Sequence, residues 1–125
     1  MALVGLSHYS LRLTPDAVEK TAVFYTDVLG FTRGYRPPFK FPGVWLYAGD
    51  SPLVHLIGTA DHDKPADTGR LDHIAIEAKG IAEMRAYLSA RGVVFEERHV
   101  PATNLHQIFV HDPNGIQIEL LYRAE

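Results

Sequence analysis

A chain of 125 residues with formal charge -3, 46% hydrophobic and 22% charged, has the make-up of one compact domain with its own core. It contains no cysteine, which excludes disulfides, thiolate ligands and a thiol nucleophile, and its acidic balance speaks against nucleic acid as a partner. No run nears the roughly 18 apolar residues of a membrane span and the first residues lack a signal-peptide pattern, so the expectation is a cytoplasmic protein without membrane or nucleic-acid partners.

Gly5 to Leu13 alternates, with His8, Ser10 and Arg12 on one face and Tyr9, Leu11 and Leu13 on the other. That pattern predicts a half-buried strand. Thr14-Pro15 is a cap followed by a proline at the first helical position, and Val18, Ala22, Tyr25 and Leu29 recur at helical spacing up to Gly30, where a stop is wanted. A helix is therefore expected over 15–29. Short strands are expected over 31–36, 44–48 and 53–57. Between the first two of these, three prolines in 37–42 rule out a central strand and make a loop.

Residues 58–70 are polar and read as a linker. The pattern then repeats. A strand over 71–78 precedes a helix over 80–91 closed by Gly92. Strands follow over 93–98, 107–111 and 116–122, the last two joined by the turn Asp112-Pro113-Asn114-Gly115. The expected fold class is α+β: two tandem βαβββ modules, about 5–57 and 71–123, forming one domain over 1–125. Their mixed sheet would cup around a cleft.

Four residues mark the repeat. His8 and His73 stand 65 positions apart, and His55 and Glu119 stand 64 apart. Each module thus places one candidate metal ligand early and one on its last strand. Imidazole nitrogen and carboxylate oxygen suit one divalent ion of Zn, Ni, Mn, Co or Fe. Taken singly, a strand histidine is more often hydrogen-bonded than ligating. The joint spacing is what favours ligation for His8, His73 and Glu119. His55 is open: it can ligate, or stand beside the metal and bind substrate.

Leu6-Ser7-His8, Phe24 to Phe31, Val54 to Ile57, Asp72 to Ala75 and Gln107 to Leu120 resemble the vicinal oxygen chelate superfamily, which holds glyoxalases, bleomycin-resistance proteins and dioxygenases. The resemblance covers essentially the whole chain. It implies a divalent metal held by His8, His55, His73 and Glu119, and a small-molecule substrate that chelates it through adjacent oxygens. It also implies Glu119 as catalytic base and a homodimer. In glyoxalase I the position of His55 is acidic, so a one-base version through Glu119 is the glyoxalase-like reading here. Iron-dependent dioxygenase chemistry and a fosfomycin-resistance type of addition are the alternatives within the family. A metal-free antibiotic-binding protein is the alternative outside enzymes.

Substrate contacts are expected from Phe109, whose position often faces substrate in relatives, and from Trp45, which a shift of 64 maps onto it. Tyr47 is expected to line the cleft. Gln107 is a candidate donor to substrate. Arg12 shares a face with His8 and suits an anionic substrate, although a solvated arginine is the commoner outcome.

Overall fold

The computed structural model describes residues 1–64 and 67–124; Pro65 and Ala66 of the expected linker lie outside the described residues. The chain divides into two compact units, 1–64 and 65–125. Each holds one four-stranded mixed sheet and one α-helix, the pattern of two tandem βαβββ modules.

Module 1 runs β1 (Tyr9–Arg12), α1 (Pro15–Val23), β2 (Thr32–Gly34), β3 (Gly43–Ala48) and β4 (Ser51–Ile57). The sheet order is β1-β4-β3-β2, with β1 parallel to β4 and the other pairs antiparallel. Thr14 caps α1 by accepting from the Ala17 amide at 3.3 Å, and Pro15 opens the helix. The α-helix is shorter than the periodicity suggests. At Phe24–Val28 it widens into a π-helical turn before Gly30, at φ 82, ends it. That turn carries the fully buried Tyr25, whose hydroxyl accepts from the Tyr9 hydroxyl at 3.1 Å.

Helix α1 packs on β3 and β4. Val18, Ala22 and Tyr25 share the buried set with Leu46, Val54 and Leu56. Truncating either leucine to alanine costs about 2–5 kcal/mol, because the cavity adds to the lost transfer energy. Strand periodicity sends the opposite side chains, His55 and Trp45 among them, to the other face. Residues 58–60 are not free linker. The Gly58 amide donates to the Pro42 carbonyl and the Ala60 amide to the Leu13 carbonyl, which fastens this stretch to the module.

Module 2 runs β5 (Ile74–Ala78), α2 (Ile81–Ala90), β6 (Glu96–His99), β7 (Leu105–His111) and β8 (Gln117–Arg123). Its sheet repeats the topology: β5-β8-β7-β6, with β5 parallel to β8. Ile108, Val110, Ile118, Leu120 and Tyr122 are buried on one sheet face, and Leu88 is buried on α2. Both opening strands are shorter than the alternation suggests: His8 and His73 each stand one residue before the ladder begins. Among the described residues no helix is long and apolar enough to cross a membrane.

Candidate metal and substrate site

Strand register builds the same station in both modules. In module 1, His55 on β4 lies between Ser10 on β1 and Trp45 on β3. In module 2, Glu119 on β8 lies between Ala75 on β5 and Phe109 on β7. Each candidate thus has a small neighbour on one side and a large ring on the other. His8 and His73 precede Ser10 and Ala75 by two residues, which puts them on the same sheet faces as His55 and Glu119.

The module 2 pair is a contact between an imidazole and a buried carboxylate. Glu119 is 6% exposed, and its Oε1 lies 3.2 Å from His73 Nε2. The other ring nitrogen, Nδ1, donates to Asp72 Oδ2 at 2.7 Å. With Nδ1 carrying hydrogen, a neutral His73 turns the Nε2 lone pair toward Glu119. Two electron pairs that close require positive charge between them, either a proton or a metal ion. The donor set therefore fits a divalent cation, and the Asp72 hydrogen bond is the outer contact that metal-bound histidines usually make.

The module 1 pair has a different form. His8 and His55 stack with ring centroids 3.9 Å apart and planes 15° apart. Trp45 stacks on the other side of His55 at 3.8 Å and 6°. Nε2 of His55 lies 2.8 Å from the Pro52 carbonyl, which can only accept, so Nε2 is the donor. A neutral His55 then has its lone pair on Nδ1. Burial, and then the charge of His8, push the His55 pKa down, which favours that neutral ring. Lone pairs lie in the ring planes. Two near-parallel rings aim theirs alongside one another instead of at one point, so a shared ion requires one ring to turn.

Among the described residues no group of three or more His, Asp or Glu side chains is placed to hold a metal ion. The structure brings the four residues together two by two, each pair within its own module.

The expected substrate residues occupy varied settings. Trp45 is half-buried in the stack. Phe109 meets His73 edge-on at 6.3 Å, with the Arg98 guanidinium 5.1 Å from its ring centre. Tyr47 lies over Gly34, where a Cβ would stand 2.5 Å from its ring, and its hydroxyl donates to the Tyr35 carbonyl at 2.6 Å. Arg12 donates to the side chain and carbonyl of Thr59, each at 3.0 Å. Gln107 shares a strand face with Phe109 and is half-buried, opposite Leu121 and Arg98. Asp72 belongs to a family-like stretch of the sequence, but its residue type alone gives it no role. Its position directly before His73 is the one available signal, and only the side-chain geometry gives that adjacency meaning.

Comparison with known proteins places the chain in a family. Residues 5–120 match the model of the Glyoxalase/Bleomycin resistance protein/Dioxygenase superfamily. The chain is 29% identical to "Glyoxylase I 4" of Arabidopsis thaliana, covering 94% of this chain and 70% of that one. It is 30% identical to the "Probable lactoylglutathione lyase" of Vibrio cholerae, covering 94% and 90%. A glyoxalase-family protein of Bacillus anthracis has the same fold, with TM-score 0.80 and 22% identity over 99% of this chain and 98% of that one. So does a fosfomycin resistance protein of Listeria monocytogenes solved with Mn(II), with TM-score 0.71 and 18% identity over 98% and 95%. The chain belongs to the Glyoxalase/Bleomycin resistance protein/Dioxygenase superfamily.

Proposed function

We propose that this protein is a divalent-metal-dependent enzyme of the glyoxalase type, catalysing lyase or isomerase proton transfer on a small molecule with two adjacent oxygens. The carrying observation is the buried Glu119 carboxylate facing His73 Nε2 while Asp72 holds Nδ1. His73, Glu119 and His8 are the proposed ligands. His55 is the fourth where its ring turns to present Nδ1, and otherwise stands beside His8 as a stacked neighbour. A bound divalent ion supplies Lewis acidity, polarising adjacent substrate oxygens and stabilising enolate charge. Glu119 takes a proton from one substrate carbon and returns it to the next. Trp45, stacked on His55, and Phe109, beside Glu119 and edge-on to His73, are the rings proposed to meet the substrate within their own modules. Gln107 and Arg12 are proposed to meet the substrate's polar groups.

Support comes from membership of the superfamily and from the two relatives named for glyoxalase chemistry. The test is turnover of an α-keto aldehyde–thiol adduct by protein loaded in turn with Ni, Zn, Co, Mn or Fe(II). Turnover that disappears with chelator and returns with metal is expected. Turnover indifferent to chelator would overturn the proposal.

The three-donor set left when His55 stays stacked favours a second reading. Two histidines and one carboxylate also suit iron-dependent oxygen chemistry, or addition to an epoxide as in fosfomycin resistance. Catechol and epoxide substrates in the same screen separate these. Stoichiometric, chelator-indifferent binding without turnover would point to a binding protein. We further propose a cytoplasmic location and a homodimer; a monomer by light scattering at micromolar concentration would refute the dimer.

A further inference from the structure

Beyond Trp45 lies a second, separate pair of rings, and the Phe39 plane is tilted 47° from that of Trp45. Phe39 lies 6.3 Å from Trp45, and Phe41 lies 5.1 Å from Phe39 with the two planes only 17° apart. Both stay well exposed, at 44% and 38%. Pro37, Pro38 and Pro42 stiffen the loop that carries them. Arg36 holds its guanidinium carbon 5.1 Å from the Phe39 ring centre and 5.0 Å from that of Phe41, and it donates to the Phe41 carbonyl at 2.8 Å. At Gly43 a Cβ would stand 2.5 Å from the Leu56 carbonyl oxygen and 2.8 Å from the same guanidinium nitrogen, so glycine leaves room for both. Among the described residues no carboxylate pairs with Arg36. The corresponding loop of module 2, 100–104, has no aromatic residue. The duplicated fold therefore does not require such a ledge.

Two exposed, nearly parallel rings offer faces on which a third ring can stack. The guanidinium beside them has N–H donors left for an anion. Apolar surface of this kind, continuous with a candidate site, marks a ligand-binding surface more often than a packing accident.

We propose that Phe39, Phe41, Trp45 and Arg36 form a subsite for an aromatic ring bearing an acidic substituent. Naming this ligand a part of the substrate rests on the metal-enzyme reading above. The binding itself does not.

Trp45 is the chain's one tryptophan, so its emission reports the subsite. The probes are benzoate, cyclohexanecarboxylate and benzyl alcohol, titrated into the full chain with and without chelator. Benzoate should change the emission saturably and bind about tenfold more tightly than either analogue, one lacking the aromatic face and the other the charge. The Phe39→Leu/Phe41→Leu double variant should bring benzoate to the level of cyclohexanecarboxylate, and Arg36→Gln to that of benzyl alcohol. Circular dichroism checks that both variants fold. Benzoate affinity unchanged by chelator and by Glu119→Ala supports a separate subsite, whatever becomes of the metal reading. Equal affinity for all three probes overturns the proposal, as does undiminished benzoate binding in the double variant or loss of binding on chelation. Emission that depends on protein concentration in the wild type but not in the double variant also overturns it, because a second copy then covers the ledge.

Discussion

The two modules use one topology to hold two kinds of pair. In module 2 a buried carboxylate faces an imidazole 3.2 Å away, and an exposed aspartate holds the ring's far side. In module 1 a buried imidazole lies between an indole and a second imidazole, with its Nε2 bonded to a carbonyl. The first arrangement needs positive charge between its members. The second is held by stacked faces. Equivalent stations in a duplicated fold have thus diverged, with the cation-demanding chemistry concentrated in module 2.

The largest expected effect follows from that division. Glu119→Ala, which removes the carboxylate proposed both to hold metal and to move the proton, should lower turnover by at least about a hundredfold. His55→Phe keeps the stack and should cost about tenfold or less. Equal losses in the two variants, measured as kcat/KM, would erase the distinction between the modules.

Next in size is the outer contact. Asp72→Asn replaces the carboxylate that accepts from His73 Nδ1 and should weaken metal affinity by about 10–100-fold. Competition against a fluorescent zinc chelator reads this directly, without activity. Unchanged affinity would show that Asp72 is a solvated neighbour.

A smaller effect sharpens the comparison at the sheet edges. Each module ties its helix to its edge strand by a bidentate ion pair, but with reversed polarity. Glu19 on α1 meets Arg33 on β2 at 2.7 and 3.0 Å, whereas Arg85 on α2 meets Glu97 on β6 at 2.6 and 2.8 Å. The arginine hydrogen bonds hold both glutamates below the usual carboxylate range. A depressed folded value means that the stabilisation is present above the unfolded pKa, about 4.3, and is lost as pH falls through the folded value. Both pairs are solvent-exposed, so the effect is small. Urea midpoints should fall between pH 6 and pH 3. The fall should be shallower in Arg33→Gln and Arg85→Gln, because each lacks one of the two contributions. Identical pH profiles in wild type and both variants would remove the pairs from the account.

Much of this was legible before the structure. Alternation fixes which side chains share a strand face, and a shift of 64 or 65 fixes which positions correspond. His8, His55, His73 and Glu119 therefore stood out as two equivalent pairs. How each pair is arranged did not. Nothing in the residue types says that His55 lies flat between Trp45 and His8, or that His73 presents Nδ1 to Asp72. Those outcomes depend on side-chain torsions and on cross-strand register. Helix α1 shows the same limit, because apolar spacing continues through Phe24–Val28 whether the turn is α or π. Nor does the residue type tell that the Tyr47 ring rests over Gly34 with its hydroxyl donating to the Tyr35 carbonyl. Phe39 and Phe41 read as part of a proline-rich loop and Arg36 as the end of a strand, and only the fold brings the three together beside Trp45.

The central claim is that a divalent ion binds through residues of both kinds of pair. Its most direct test is elemental analysis of purified wild type, His8→Ala, His73→Ala and Glu119→Ala after expression in medium containing several metals. The account predicts near-stoichiometric metal in the wild type and its loss in each variant. Full metal content in all three variants, or none in the wild type even after reconstitution, would contradict it.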